Sequence, residues 1–271
     1  MSIDILIATY NDSIYNLKNI LLPQQDSVNY KIAHQITNDK NYDDIYSSYC
    51  NRQDVVIKHF YDKGLSKNRN HLLDMAQAQI CLIADDDVTL VSNISEILEN
   101  AFAKYSEADI ITFQTISDKR SKKYKEKPYT HTIKTLAQVS SIEVAFKRSS
   151  IKQNDLRFDV CFGIGAKYII GEEFIFLIDA YNKGLNLMYV PKAITIHQDE
   201  SSGYSLSSKV LYARGAVYMR VFGFRGIILY LYSTIKHYTR YKLHYTPWRY
   251  FYTLLKGALA YKKDSKCLKY L

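Results

Sequence analysis

Three consecutive aspartates follow a short apolar segment in the stretch ICLIADDDVTL, residues 80–90. The apolar segment predicts a buried strand, so Asp85, Asp86 and Asp87 stand where that strand ends. Adjacent carboxylates repel one another and are costly to desolvate, so folding alone gives no reason for this run. Alternate side chains of an extended chain share a face, where two carboxylates can hold a hard divalent cation against a diphosphate. The stretch therefore predicts a metal site at Asp85 and Asp87; a solvated acidic turn is the alternative.

Apolar segments with strand-like and helix-like spacing alternate along the first half of the chain. Strands are predicted at 3–10, 29–37, 53–61, 79–85 and 108–115, and helices at 13–23, 66–78 and 94–105. This alternation is typical of an α/β fold with a mostly parallel sheet and helices on both faces. Ligands of such sheets bind beyond the carboxyl ends of the strands. We therefore expect Thr9 and Asn11, at the end of the first strand, to share one crevice with the aspartates.

The segment DKGLSKNRN precedes a predicted helix and carries several cations. A glycine-containing loop before a helix is suited to binding anions through backbone N–H groups, and Lys63 and Arg69 add positive charge beside Gly64. Ser66 is the expected N-cap of the helix. An ordinary helix start with basic residues is the alternative interpretation.

Two more candidates lie later in the chain. Glu172 and Glu173 stand at the start of an apolar helix in GEEFIFLIDA, where glutamates are often only partners of the helix dipole. A carboxylate buried beside Phe174 would instead be a stronger base, able to accept a proton from a hydroxyl. His197 ends a further predicted strand, where it is either structural or the residue that completes the metal site.

The segments ILIATYN, GLSKNRN, IADDD and GEEFIF and the later histidine occur in the order and approximate spacing of family 2 glycosyltransferases. The chain resembles that family over about residues 3–203. The resemblance implies the GT-A fold, a nucleotide-sugar donor, a divalent metal ion such as Mn²⁺ or Mg²⁺, and inversion at the anomeric carbon of the sugar.

The resemblance also implies roles for particular residues. The DxD motif of the family falls on Asp85 and Asp87, with Asp87 the better metal ligand, and the late metal- or phosphate-contacting histidine falls on His197. The Glu-Asp catalytic pair falls on Glu172 and Glu173, which makes Glu173 the general base. Thr9 matches the strand-end contact to the nucleotide. The residues expected to contact the donor are Thr9, Asn11, Lys63, Arg69, Asp85 and Asp86.

The chain departs from the family pattern at two positions. Glu173 stands where the base is more commonly an aspartate, and its longer side chain moves the carboxylate by about one bond length. The family often reads uracil with an aspartate at the end of the second strand, which here falls near AHQITND. His34, Gln35, Asn38 and Asp39 are the candidates for that role. A UDP-sugar is the expected donor.

Residues 204–271 differ in composition from the rest of the chain. They contain 13 Lys and Arg residues and one acid, a net charge of +12, and 12 of the 25 tyrosines. The other 203 residues contain 23 basic and 26 acidic residues, a net charge of −3. The change predicts a catalytic domain at 1–203 and a basic, Tyr-rich helical extension at 204–271. A polar loop at 118–132 is the expected site of acceptor specificity.

Three interpretations of the extension differ in its partner. Cations mixed with aromatic residues are typical of nucleic-acid binding and of anionic membrane surfaces, and the extension could also pack on the catalytic domain. Continuous apolar segments such as GIILYLY favour lipid over nucleic acid. The leading hypothesis is a transferase acting on a lipid-linked saccharide in surface polysaccharide synthesis. The rival is a basic membrane- or nucleic-acid-binding module on a catalytically inactive α/β domain.

The remaining features bear on location. The four cysteines are far apart and form no pair with metal or redox spacing, as expected in a reducing compartment. The chain begins without the basic segment of a signal peptide, and no apolar run approaches the roughly 20 residues of a membrane span. We therefore expect a cytoplasmic protein, peripheral on the inner face of the cell membrane.

Overall fold

The structure, a computed structural model, describes residues 1–117, 122–197 and 207–268, with backbone only for 265–268. Its strands are β1 Ile3–Tyr10, β2 Val28–Gln35, β3 Val55–Phe60, β4 Ile80–Asp85, β5 Thr89–Leu90, β6 Ile110–Ile116, β7 Tyr129–Thr130, β8 Val144–Lys147 and β9 Leu187–Ile196. Its α-helices are α1 Leu17–Ile20, α2 Asp43–Ser48, α3 Leu65–Met75, α4 Ile94–Lys104, α5 Ile133–Leu136, α6 Arg148–Gln153, α7 Glu172–Asn182, α8 Ser208–Phe222, α9 Gly226–Lys236, α10 Tyr238–Tyr241 and α11 Pro247–Leu268.

The strands form one mixed sheet in the order β3-β2-β1-β4-β8-β6-β9-β5, with β7 paired to β9. The four strands from β3 to β4 are parallel, and their register sets Thr9 beside His34 and Ala8 beside Asp85. The carboxyl ends of β1, β2 and β4 therefore meet at one edge of the sheet. The predicted α/β class is confirmed; β8, which the sequence patterns do not reveal, runs antiparallel to β4 and β6.

The first strand is buried on both faces of the sheet. Ile5 and Ile7 belong to a cluster that includes α1 and α4, whereas Leu6 and Ala8 belong to one that includes α3 and α7. Helices thus cover both sides, which explains why IDILIATY is apolar almost without interruption. The central strands are fixed in place by this two-sided burial.

Two local predictions are wrong. The predicted helix at 13–23 is a 3₁₀ turn over Asn11–Asn16 followed by the single turn α1. Its buried side chains, Ile14, Leu17 and Ile20, are three residues apart, the period of a 3₁₀ helix rather than an α-helix. Ser66 is not an N-cap, because the first residue of α3 is Leu65 and Ser66 lies within the helix. The Ser66 hydroxyl donates to the Phe162 carbonyl at 2.7 Å.

The basic extension is helical over its described residues and packs on the α/β part. Arg220 of α8 donates to Asp159 at 3.0 Å and to Asp179 at 2.7 Å. Tyr168 donates to Asp264 of α11 at 2.6 Å. The predicted boundary at 203/204 lies outside the described residues. None of the described helices is long and apolar enough to cross a membrane.

Helices α8 and α11 approach each other at two glycines. A methyl group on Gly215 would lie 1.9 Å from the carbonyl oxygen of Leu254, and one on Gly257 would lie 1.8 Å from that of Tyr212. No side chain fits at either position, so the two backbones are in direct contact. This contact makes α8 and α11 one packing unit. Helix α9 is joined to that unit by Tyr230, which donates to the Gly215 carbonyl at 3.2 Å.

We expect Gly257→Ala to lower the free energy of unfolding by about 1–3 kcal/mol, the usual range for overpacking. An alanine in a helix is otherwise about 1 kcal/mol better than glycine, so a loss must come from the contact with Tyr212. Urea unfolding followed by circular dichroism measures the change. Lys256→Ala, at the exposed neighbouring position, is the control and should change stability little. A stabilised Gly257→Ala variant would contradict the close approach.

Candidate active site

One buried arginine joins three segments at the carboxyl edge of the sheet. Arg69 of α3 is 2% exposed and donates to Asp85 at 2.9 Å, to Glu172 at 3.0 Å and to the Ser141 hydroxyl at 2.8 Å. Its guanidinium also lies over the Phe158 ring, with 5.6 Å to the centroid. A planar guanidinium with several donors suits such multiple pairing. Arg69 therefore holds the end of β4 and the start of α7 together.

The two glutamates predicted to be catalytic begin α7, as expected from the sequence. Glu172 is buried against Arg69, and Glu173 is half-buried beside it. Burial, and then the charge of Glu172, raises the pKa of Glu173 well above its ordinary value of 4.5. The helix starts after Gly171, whose φ of 93° is in the left-handed region and whose Cα faces Val217 of α8 too closely for a methyl group. A carboxylate of raised basicity thus stands at a fixed helix start.

The three aspartates point to different partners. Asp85, the last residue of β4, accepts from Arg69, whereas Asp87 lies in the following turn with its carboxylate 3.4 Å from His197 Nε2. The chain leaves the extended conformation after Asp85, so the shared face expected for Asp85 and Asp87 is not formed. Burial, together with the charges of its two neighbours, raises the pKa of Asp86 to about 7. The three carboxylates therefore stand in three different environments at the edge of the sheet.

The predicted metal ligands are only partly brought together. No cluster of three or more His, Cys, Asp and Glu side chains suited to a metal occurs among the described residues. Of the three predicted ligands, Asp87 and His197 bring a carboxylate oxygen and an imidazole nitrogen within 3.4 Å of each other, a donor set that suits a divalent cation. Asp85 is directed to Arg69 instead. The residues present therefore fit a cation held by two protein ligands, with the remaining positions left for ligand oxygens and water.

The ends of β1 and β2 are locked together on the other side of the crevice. Asn11 has a positive φ of 48° and accepts from the Thr37 backbone N–H at 2.9 Å. His34 is fully buried; its Nε2–H donates to the Asn11 carbonyl at 2.9 Å and its Nδ1 accepts from the Tyr46 hydroxyl at 2.8 Å. Thr9, 2% exposed, accepts from Asn68 through its carbonyl oxygen. Thr9 and Asn11 thus lie where β1 ends and the following 3₁₀ turn begins.

The four residues considered for base recognition differ in whether their side chains are accessible to a base. The side chains of His34 and Gln35 are buried and paired, Gln35 donating to Asp62 at 2.7 Å and to the Gly64 carbonyl. Asn38 donates to the Tyr42 hydroxyl at 2.9 Å. Asp39 is exposed beyond the end of β2. Only Asn38 and Asp39 remain as side chains that a base could reach without unpacking β2.

A glycine loop forms the wall next to Lys63. The Leu65 N–H donates to the Ile164 carbonyl at 2.9 Å, and a methyl group on Gly165 would lie 3.1 Å from Gly64 Cα. The backbones of the loops 62–66 and 162–166 are therefore in close contact beside Glu172. Lys63 is exposed at this junction and Ile164 is 59% exposed.

Sequence patterns miss Ser141 and this glycine loop. Ser141 lies in a 3₁₀ turn that begins with a capping box between Ser140 and Glu143, and the S-x-x-E spacing in SSIE is a recognisable signal for that turn. The signal predicts the turn but not the contact of Ser141 with Arg69, which joins residues 72 positions apart. The glycine spacing in FGIGA is likewise visible, while its approach to Gly64 is not.

Comparison with known proteins extends the description of the fold. The sequence matches no family model and no curated protein. The structure is similar to S. aureus TarS 1–349 in complex with UDP-GlcNAc, with a TM-score of 0.63 and 14% sequence identity over 91% of this chain and 76% of that chain. The complex of TarS 1–349 with UDP gives the same values. S. aureus TarS itself gives a TM-score of 0.61 and 13% identity over 91% of this chain and 46% of that chain. The expected GT-A fold is confirmed.

We expect Arg69→Met to lower the free energy of unfolding by about 3–5 kcal/mol, because it leaves Glu172 buried and Asp85 partly buried without their cation. Arg157→Met is the matched control: Arg157 pairs with Asp74 at the surface, where such a pair contributes less than about 1 kcal/mol. Urea unfolding of both variants measures the difference. Equal losses in the two variants would show that Arg69 does not join the site as described.

Proposed function

We propose that the protein is an inverting glycosyltransferase of the family 2 type. It transfers a hexosyl group from a UDP-sugar to a hydroxyl group of a lipid-linked saccharide, in the synthesis of a surface polysaccharide. The transfer takes place in the cytoplasm at the inner face of the cell membrane. The GT-A fold and the arrangement of carboxylates at the sheet edge support this proposal.

The observation that carries the proposal is the bridge from Asp85 through Arg69 to Glu172. It connects the strand end that carries the aspartates with the helix start that carries Glu173, and Arg69 and Glu172 are 103 residues apart in sequence. A donor bound at the aspartates would therefore have its sugar beside Glu173. TarS, which has the same fold, has been solved with UDP-GlcNAc and with UDP bound.

The proposed reaction is a single displacement. The acceptor hydroxyl oxygen attacks the anomeric carbon from the face opposite UDP, and its proton passes to Glu173. The bond between the anomeric carbon and the UDP oxygen breaks, and its electron pair stays on the diphosphate. An α-linked donor consequently gives a β-linked product. We assign Arg69 to positioning Glu172 and the end of β4, and Lys63, which is exposed, to the diphosphate.

Asp87 and His197 would hold the divalent cation, with Asp85 and Asp86 adding negative charge nearby. When bound, the cation neutralises charge that develops on the leaving diphosphate. Thr9 and Asn11 line the nucleotide side of the crevice, and we assign base recognition to Asn38 or Asp39. Mn²⁺ and Mg²⁺ both prefer oxygen ligands, which Asp87 and the diphosphate would supply.

The test of the function is a thermal-shift screen of nucleotides and UDP-sugars with Mn²⁺, followed by an assay of UDP release. Stabilisation by UDP and slow Mn²⁺-dependent hydrolysis of one UDP-sugar without acceptor are the expected results. A protein that neither binds UDP nor hydrolyses any donor would instead be a binding module on an inactive α/β domain.

Glu173→Gln should retain affinity for the UDP-sugar and lower the transfer rate by about 10²–10⁴-fold, because the amide cannot accept the proton. Binding is measured by calorimetry and transfer by UDP release with acceptor. Because the pKa of Glu173 is raised and the base must be ionised, the wild-type rate should increase with pH well above 4.5. Glu172→Gln is the control, and an inactive Glu172→Gln beside an active Glu173→Gln would reverse the two roles.

Asp87→Asn should abolish the Mn²⁺-dependent part of UDP binding, since a neutral amide is a poor ligand for a hard cation. Calorimetry with UDP, in the presence and absence of Mn²⁺, measures this part. Asp26→Asn removes an exposed carboxylate elsewhere on the surface and should leave binding unchanged. Wild-type Mn²⁺ dependence in Asp87→Asn would contradict the ligand assignment.

A further inference from the structure

The outward face of α9 is apolar. Four side chains on one side of this helix are strongly exposed: Ile228 at 69%, Leu231 at 53%, Tyr232 at 56% and Ile235 at 78%. They recur at the three- to four-residue spacing of one helical face. We call these four residues the α9 outer face. Apolar residues of a surface helix normally face the core, whereas no element among the described residues covers this face.

The opposite side of α9 packs on the protein and is less apolar than the outer face. Its buried residues are Gly226, Tyr230 and Ser233, and the hydroxyls of Tyr230 and Ser233 are hydrogen-bonded to the Gly215 carbonyl and the Tyr250 hydroxyl. The usual arrangement of a surface helix, with apolar residues inward and polar residues outward, is therefore reversed. Packing among the residues that the structure describes does not account for the outer face.

Cations stand at both ends of the outer face. Arg225 directly precedes α9 and Lys236 ends it, and both are exposed. Arg240 follows one turn later and is exposed as well. The extension contains a single acid, Asp264, which is paired with Lys167 at 2.7 Å. No carboxylate of the extension therefore opposes the approach of an anionic surface.

We propose that the α9 outer face inserts into an anionic lipid surface, with Arg225, Lys236 and Arg240 at the level of the headgroups. Apolar side chains enter the region between headgroups and acyl chains while the flanking cations attract the lipid phosphates. The arrangement fits no other partner as well. A second copy would bring two basic extensions together, and a nucleic acid would meet apolar residues where phosphate contacts are needed.

This inference identifies the membrane contact of the proposed function and rests on it for the benefit of membrane location, which is access to a lipid-linked acceptor. The binding itself needs no donor, metal or acceptor. Sedimentation with vesicles therefore tests the surface even if the transferase assignment is wrong, and UDP binding tests the transferase assignment even if the surface is wrong.

The first experiment removes apolar side chains from the face in the full chain. Ile228→Gln combined with Ile235→Gln should weaken co-sedimentation with vesicles of phosphatidylcholine and phosphatidylglycerol by about tenfold or more. Val56→Gln combined with Ile133→Gln replaces two exposed apolar residues of the α/β part and should leave binding unchanged. Both pairs are exposed, so neither should unfold the protein, and circular dichroism checks this.

The second experiment removes the cations. Replacing Arg225, Lys236 and Arg240 with Gln should weaken binding by about fivefold for each cation at low salt. The matched control replaces three exposed lysines of the α/β part, Lys18, Lys58 and Lys134. High salt should narrow the difference between the two triple variants, because the attraction is Coulombic. Arg220 is left unchanged, since it is paired with Asp159 and Asp179.

Three results would overturn the proposal. The first is wild-type protein that sediments equally with neutral and anionic vesicles or with neither. The second is unchanged binding of the Ile228→Gln, Ile235→Gln variant. The third is a lipid-free dimer in analytical ultracentrifugation, or a complex with DNA, that this variant abolishes while vesicle binding persists.

Discussion

The pairing of Arg69 with Asp85 and Glu172 is the interaction on which the candidate site depends. Two carboxylates at a buried sheet edge would repel each other and resist desolvation if no cation lay between them. Arg69 supplies that cation from a third element and is held there by the packing of α3 against β1 and β2. Because its donors are fixed in a plane, the guanidinium sets the positions of both carboxylates.

The four carboxylates around Arg69 differ in whether they pair with its guanidinium. Asp85 and Glu172 share the guanidinium directly. Asp86 and Glu173 stand one residue beyond these two, are partly buried and do not share it, and their pKa values are raised. Burial and the charges of neighbouring carboxylates, rather than Arg69, raise these two pKa values. Neighbouring residues of like chemistry can take different roles for this reason.

The basic extension is part of the site's framework. Val217 of α8 packs directly on Gly171, the residue before the two glutamates, and Arg220 ties the same helix to Asp179 of α7. Helix α7 is consequently held from one side by the sheet and from the other by α8. The extension therefore supports α7 through α8, while the outer face of α9 is exposed.

Sequence patterns alone predict the central strands and the polar residues at their ends. Two-sided burial makes β1 and β4 continuous apolar runs, so their positions and the polar residues that follow them, Thr9 and Asp85, can be read from pattern alone. The same holds for the start of α7 at Glu172 and for the end of β9 before His197. These features are local, because they depend on residues that are near one another in the sequence.

Contacts between these residues are established only when the chain is folded. Long-range contacts join segments far apart in sequence: Arg69 contacts Glu172 and Ser141, and Val217 packs on Gly171. A single chain carries no periodic signal for such contacts, because they depend on how β8 and α8 are placed against the sheet. Sequence patterns therefore identify the candidate groups, whereas the packing of distant elements fixes their distances and burial, and so which carboxylates are paired and which have a raised pKa.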